Sequence, residues 1–252
     1  QMHDQGVGAI VVLGGDGTNR VVVSACGNIP IAGVSTGTNN AFPELREPTI
    51  TGLAVGLAVT GQVPSELAYS FNKRIEVLVN DKREIALVDV AVVTERYIGA
   101  RAIWKTENFR DLFVTFGRPD GIGMSSIVGL LDPLDRDTPE GRRVNLLPLE
   151  EAKVILAAPI APGLIENVGI GAVETLKPDQ HYKPSVSVGS FALDGERELT
   201  FSEIDDVTVR LQTDAFRTIN VPDCMAYAAK FGLLTSKANN RLAQLRKKGR
   251  TS

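Results

Sequence analysis

The residues best equipped for chemistry are Gly14-Gly15-Asp16-Gly17-Thr18-Asn19, directly after the β-branched run Gly8 to Leu13. Gly14, Gly15 and Gly17 remove side-chain bulk, so backbone N–H groups can approach an oxyanion, and a helix starting there adds favourable partial charge for phosphate. Asp16 is the odd member, because a carboxylate beside phosphate repels it unless something compensates. Two chemistries do so: Asp16 orients Mg²⁺, or it accepts the proton of a hydroxyl that attacks a γ-phosphoryl group. The plainer alternative is a tight turn in which the Asp caps its own backbone and the glycines only permit positive φ. A second polar turn, Gly37-Thr38-Asn39-Asn40, follows the next strand candidate, Ile29 to Val34. In a parallel sheet both turns leave the same carboxyl edge, where open α/β sheets bind ligands.

The elements that must position these turns alternate. Thr18 can cap a short helix through Cys26, with Gly27 as its stop, although Val21-Val22-Val23 opposes it. A second helix is expected from about Thr49 to Ala58, ending near Gly61. This βαβα order predicts a parallel sheet covered by helices. From about Lys73 the texture becomes strands separated by turns: a hairpin of Arg74 to Val79 and Glu84 to Val93 around Asn80-Asp81-Lys82. Further strands are expected at Lys153 to Ala158, Ser185 to Leu193, Glu198 to Phe201, Val207 to Gln212 and Phe216 to Val221. Leu131 to Pro148, rich in Asp, Pro and Gly, reads as a long, exposed, movable loop. Asp223 can cap a last helix from about Cys224, followed by a basic tail through Arg250 that reads as a solvated face. The expected fold class is therefore α/β: an N-terminal parallel-sheet α/β domain over residues 1–68, incomplete at its N-terminus, then a mostly antiparallel all-β domain over 69–221. Residues 222–252 are expected as a C-terminal helix and tail packing back on the first domain.

Composition bounds the function. In 252 residues, 43% hydrophobic and 23% charged content exclude a largely disordered chain, and no apolar stretch reaches the ~18 residues of a membrane span. Twenty-seven Lys and Arg against 30 Asp and Glu, a net charge of −3, provide no broad positive field for nucleic acid. Cys26 and Cys224 stand far apart without a CxxC or a neighbouring His, so neither a zinc site nor a disulfide is signalled and a reducing cytoplasm is expected. The chain begins at Gln1, just ahead of its first strand, which points to a segment upstream.

Other candidates carry less. There is no GxxxxGK[ST] loop and no GxGxxG after a first-segment strand, so ATP, if bound, is held another way; Gly169-Ile170-Gly171 reads as turn chemistry. His3 and His181, the only histidines, have no context for a nucleophilic triad. Asp89 occupies an alternate position of an apolar strand, where an acid needs a partner or an opening to water. Trp104, beside Arg101 and Lys105, can stack on a base or simply pack.

Gly14-Gly15-Asp16-Gly17-Thr18 together with Gly37-Thr38-Asn39-Asn40-Ala41-Phe42 resembles the superfamily of NAD kinases and diacylglycerol and sphingosine kinases. Ala86-Leu87-Val88-Asp89-Val90 is similar to the NAD-kinase strand that carries Asn-Glu, here Val88-Asp89. Ala158 to Gly163 resembles the Pro-Ile-Cys-Pro-His turn, and Leu193-Asp194-Gly195-Glu196 the late Asp-Gly turn. The order fits nearly the whole chain, nearest to the NAD-kinase-like branch associated with acetoin catabolism. The departures are Val88 for the Asn, Ile127-Val128-Gly129 where a Thr-Pro-Thr-Gly-Ser run is usual, and the missing strand and helix ahead of the Gly8 to Leu13 strand. The resemblance implies an ATP-dependent phosphotransferase with ATP and Mg²⁺, catalytic Asp16, and nucleotide contacts from Gly14, Gly15, Gly17, Thr18, Asn19, Gly37, Thr38, Asn39, Asn40 and Asp89, the metal ligands unassigned. The acceptor is NAD or another hydroxyl compound, and a homo-oligomer is expected. A non-catalytic nucleotide-binding regulator is the competing class.

Overall fold

The structure is a computed structural model and describes residues 5–37, 40–94 and 108–236. Thr38, Asn39, His3, Arg101, Trp104, Lys105 and the basic tail lie outside the described residues.

The chain opens with β1 (Ile10–Gly14), α1 (Asp16–Ala25), β2 (Ile31–Ser35) and α2 (Pro48–Val59), the expected alternation. β1 and β2 pair in parallel, Gly14 opposite Ser35, so the turns that follow them leave one edge together. α1 forms despite its three valines because Val23 is buried and Val22 packs beside it against Val12 and Ile31, while Val21 is left to solvent. Tertiary burial outweighs the few tenths of a kcal/mol that each β-branched residue costs a helix. The helix starts at Asp16, capped by Gly15 without a side-chain bond, rather than at Thr18. Gly27 at φ 57° stops it. α2 starts one residue earlier than expected, with the Glu47 carboxylate accepting from Thr49 N and Ile50 N.

After α3 (Ser65–Ala68) come β3 (Tyr69–Val79), β4 (Lys82–Ala86), β5 (Asp89–Val93) and β6 (Phe109–Val114). The run Glu84 to Val93 is thus two strands, broken at Leu87-Val88, and the halves join different sheets. Then follow α4 (Ser125–Leu131), β7 (Gly141–Leu147), β8 (Val154–Ala161), β9 (Leu164–Leu176), β10 (His181–Tyr182), β11 (Gly189–Leu193), β12 (Glu196–Phe201), β13 (Val207–Ile219) and α5 (Val221–Lys230). Several expectations are corrected. The segment 131–148 is not all loop, because β7 lies between β6 and β9 with Val144 and Leu146 buried. Gly169 and Gly171 lie inside β9 rather than in a turn, where a side chain would meet Leu147 and Asn145 of β7. The strands expected at 207–212 and 216–221 are one, β13, with a register shift between Gln212 and Phe216. Asn220, not Asp223, caps α5, its side chain accepting from Asp223 N.

Among the described residues the strands form two sheets. The first runs β1-β2-β13-β3-β4, with β10 on β13; the second, β12-β11-β5-β6-β7-β9-β8, is antiparallel throughout. The first sheet therefore draws β3, β4 and β13 from beyond residue 68, and strand pairing crosses the boundary expected there. Ile75, Val77, Val209 and Leu211 of the first sheet meet Val90, Val92, Phe113 and Phe191 of the second in a shared core. The second sheet's other face, with Ala91, Leu112 and Val144, is covered by Ile127 and Val128 of α4. β5 is thus apolar at successive positions because it is covered on both faces. α5 packs on α2 through Cys224 and Ala228 against Ala54, Leu57 and Ala58. No helix among the described residues is long and apolar enough to cross a membrane.

Candidate active site

The two glycine-bearing turns meet. The Asp16 carboxylate accepts the N–H of Ala41 at 2.9 Å and of Phe42 at 2.8 Å, one on each oxygen. Asn40 Nδ2 donates to Ser35 Oγ at 2.8 Å, which folds the second turn back on the end of β2. A Cβ at Gly15 would sit 2.5 Å from Asn40 Oδ1, at Gly14 2.6 Å from Thr18 Oγ1, and at Gly17 3.1 Å from Glu196 Oε1. None of these glycines has a positive φ. Gly15 is small so that the two loops can close on each other, Gly14 leaves room for Thr18 and Gly17 for Glu196, and Asp16 secures a neighbouring loop rather than its own backbone. The reading of the motif as a local turn, with Asp16 capping its own backbone and glycines at positive φ, is corrected in that respect.

The cleft beside this junction, about 250 Å³, is lined by Asp16, Ala41, Asp89, Asp194 and Glu196 opposite Ile122, Met124 and Ile160. It lies just under the ~300 Å³ at which drug-sized ligand pockets begin, so a nucleotide would place only part of itself inside. Asp89, expected on an apolar strand, is indeed at the head of β5, and opens on this cleft. Asp194 comes from the β11–β12 turn, where Asp194 at φ 49° and Gly195 at φ 84° match a type I′ hairpin. Its carboxylate accepts the N–H groups of Leu87, Val88 and Asp89, the backbone freed where β4 and β5 part. Arg20 from α1 bonds Glu196 at 2.8 Å and stands 3.8 Å from Asp194.

Crowding of acids sets the electrostatics. Burial pushes the Asp16 carboxyl above its usual range, against the pull of the Ala41 and Phe42 N–H groups and of Arg136. Burial, then the charges of Asp194 and Asp16, push Asp89 well above it, a Ser125 N–H notwithstanding. Asp194 is raised to about 6, chiefly by burial, with the Asp16 charge adding to the rise and the backbone bonds to Leu87, Val88 and Asp89 opposing it. Raised carboxyls grouped in one cleft are what sites that handle protons provide.

Of the other expected site residues, Gly37 and Asn40 are in the second turn and Thr18 is exposed on α1. Asn19 does not face the cleft: it is fully buried, and its amide donates to Gly15 O at 2.9 Å. His181 is exposed on β10, remote from the lining. Arg136 and Arg20 carry no site signal in the sequence; only Leu193-Asp194-Gly195-Glu196, with its turn dipeptide between two apolar runs, offers one.

The model of the ATP-NAD kinase N-terminal domain matches residues 1–62, and that of the acetoin catabolism protein X C-terminal domain matches residues 73–214. The chain is 48% identical over 240 residues to acetoin catabolism protein X of Cupriavidus necator, covering 93% of this chain and 67% of that protein. Among solved structures, yeast NADH kinase complexed with NADH superposes with a TM-score of 0.52 at 15% identity, over 92% of this chain and 67% of that one. A putative diacylglycerol kinase from Bacillus anthracis str. Sterne gives 0.48 at 13% identity, over 87% and 80%. With the NADH kinase likeness marking a shared fold, the identity and the second domain match make this chain a member of the acetoin catabolism protein X family.

Proposed function

We propose that the chain is an ATP-dependent phosphotransferase of NAD-kinase type, with Asp16 as the base that takes the proton of the acceptor hydroxyl. The observation that carries this reading is the meeting of the two turns around Asp16. Each of its oxygens accepts one backbone N–H, which fixes the carboxylate at the cleft edge and leaves lone pairs for a hydroxyl proton. Its raised pKa makes it a stronger base than an ordinary carboxylate. In the step proposed, the acceptor oxygen bonds to the γ-phosphorus, its proton passes to Asp16, and the bond to the ADP leaving oxygen breaks. The open N–H groups of the first turn of α1 adjoin the loop and supply donors for phosphate oxygens. Among the described residues no group of three or more His, Cys, Asp or Glu is arranged to hold a metal ion, and in this reading Mg²⁺ arrives as an ion carried on the triphosphate.

The NADH kinase of like fold holds NADH, which puts dinucleotides first among acceptors to try. Val88 is buried and apolar where the resemblance leads one to look for an Asn, which keeps other hydroxyl compounds on the panel. The test is labelled ATP with NAD, NADH and a diacylglycerol as acceptors. Asp16→Asn is expected to lower turnover by roughly 10²- to 10⁴-fold while the protein stays folded. Unchanged transfer by the folded variant removes Asp16 from the chemistry. One observation favours a second reading, a nucleotide-binding regulator: the same two hydrogen bonds make Asp16 a loop clamp. Calorimetry showing tight ATP or NADH binding, with no product from any acceptor, selects it.

A further inference from the structure

Arg136 lies in the Asp- and Pro-rich stretch that sequence marks as a free loop, yet it is tied on every side. Its Nη2 donates to Ala41 O at 2.7 Å and to Phe42 O at 2.6 Å. Its guanidinium lies over the rings of Phe42 and Phe116, 5.0 and 4.4 Å from their centroids. The peptide group between Ala41 and Phe42 is therefore held at both ends, its carbonyl by a guanidinium and its N–H by the Asp16 carboxylate. Such an arrangement polarises the peptide along the line between the two charges and strengthens both bonds. The two flanking peptides are each held at one end, the first through the Ala41 N–H by Asp16 and the second through the Phe42 carbonyl by Arg136.

The loop that presents Arg136 is fixed in turn. Lys73 on β3 is buried, and its ammonium donates to the carbonyls of Asp135, Thr138 and Glu140 at 3.0, 2.6 and 2.8 Å, so the chain curls around it on both sides of Arg136. A continuous path of short bonds leads from a central strand of the first sheet to the acid at the cleft.

We infer that Arg136 is a positioning residue for Asp16, setting where the carboxylate stands by gripping residues 41–42 from the opposite side, with Lys73 as the anchor of that grip. Its catalytic consequence rests on the reading of Asp16 proposed above; the mechanical part does not. Arg136→Met keeps an apolar side chain of similar length and removes the guanidinium, with both its donors and its contact with the two rings. Amide exchange at Ala41 and Phe42 is expected to speed up at least tenfold, with Leu112 and Val144 of the second sheet unchanged. If the wild-type chain transfers phosphate, kcat is expected to fall by about 10- to 100-fold while KM for ATP stays within about threefold, as misplacement of a reacting group predicts. Arg136→Lys, which keeps one charge and a shorter donor, is expected to recover part of the exchange protection and serves if the Met variant does not fold. Unaltered exchange at 41–42, or exchange that quickens equally across both sheets, overturns the inference. So does altered exchange with an unaltered kcat in an active protein. A wild-type chain that transfers nothing, yet shows the local exchange change, defeats the phosphotransferase reading and leaves the mechanical role of Arg136 standing.

Discussion

Asp16, at the start of α1, and Asp194, in the β11–β12 turn, line one cleft, and each fastens a distant stretch of backbone through its carboxylate. Asp194 accepts three N–H groups at the parting of β4 and β5 and is fully enclosed. Asp16 accepts two and keeps an exposed edge on the cleft. Asp194 stands at positive φ, whereas Asp16 is the first residue of a regular helix. The comparison teaches that two carboxylates bonded to backbone can differ in their access to water. What separates the two is the water-facing side that Asp16 retains and Asp194 lacks.

That contrast yields a ranked set of expectations. The largest is for Asp194→Ala, which removes the acceptor for three buried N–H groups and puts Ala at φ 49°; about 3–5 kcal/mol of stability should be lost in urea melts. Asp16→Ala, losing two such bonds at a partly buried site, should cost only about 1–2 kcal/mol, and the proposed function puts its main effect on turnover. Equal losses from the two variants would erase the distinction.

A pH dependence lies between these two in size. Because the Asp194 pKa is raised to about 6 in the folded chain, the native state binds the proton more tightly than the unfolded state does. Its contribution is therefore fully present at pH below about 4 and is lost as pH rises to about 6, a fall of roughly 3 kcal/mol. Melts of wild type and Asp194→Asn across that window should differ in slope, the variant being flatter; parallel curves would place the raised acid elsewhere in the cluster. Smaller again is Gly15→Ala, whose Cβ would press on the Asn40 amide, the movable end of a side chain. About 1 kcal/mol and weaker nucleotide binding are expected by calorimetry. Gly17→Ala, which meets only the tip of the exposed Glu196, should be nearly neutral in both.

Much of this arrangement is legible in the residues themselves. Glycines punctuate β1, α1 and α2 correctly, and the carboxyl-edge rule places the turns after β1 and β2 side by side, as observed. Other features were hidden because their cause is not local. Glu84 to Val93 looks like one strand because nothing nearby shows that Asp194, over a hundred residues on, will take up the N–H groups of a break at Leu87-Val88. β7 is masked by Arg142 and Arg143, which become acceptable in a sheet only because Asp111 on β6 and acids around Asp132 pair with them. Arg136 reads as one more charge in a polar loop until Lys73 and the 41–42 carbonyls are seen around it. Asn19, conversely, looked like a ligand contact by its place in the motif, although the helix turns it inward beneath Gly33.

The place of β13 in the first sheet has a consequence for synthesis. This strand, among the last in the chain, is wedged between β2 and β3, so the glycine-bearing half of the molecule has no closed sheet until residue 219 is available. Such long-range closure is slow relative to local pairing, and it exposes β2 in the meantime. A nascent chain on the ribosome thus carries its glycine-bearing loop long before it carries the scaffold that shapes it, and a chain cut short ahead of β13 would leave β2 and β3 as two new open edges.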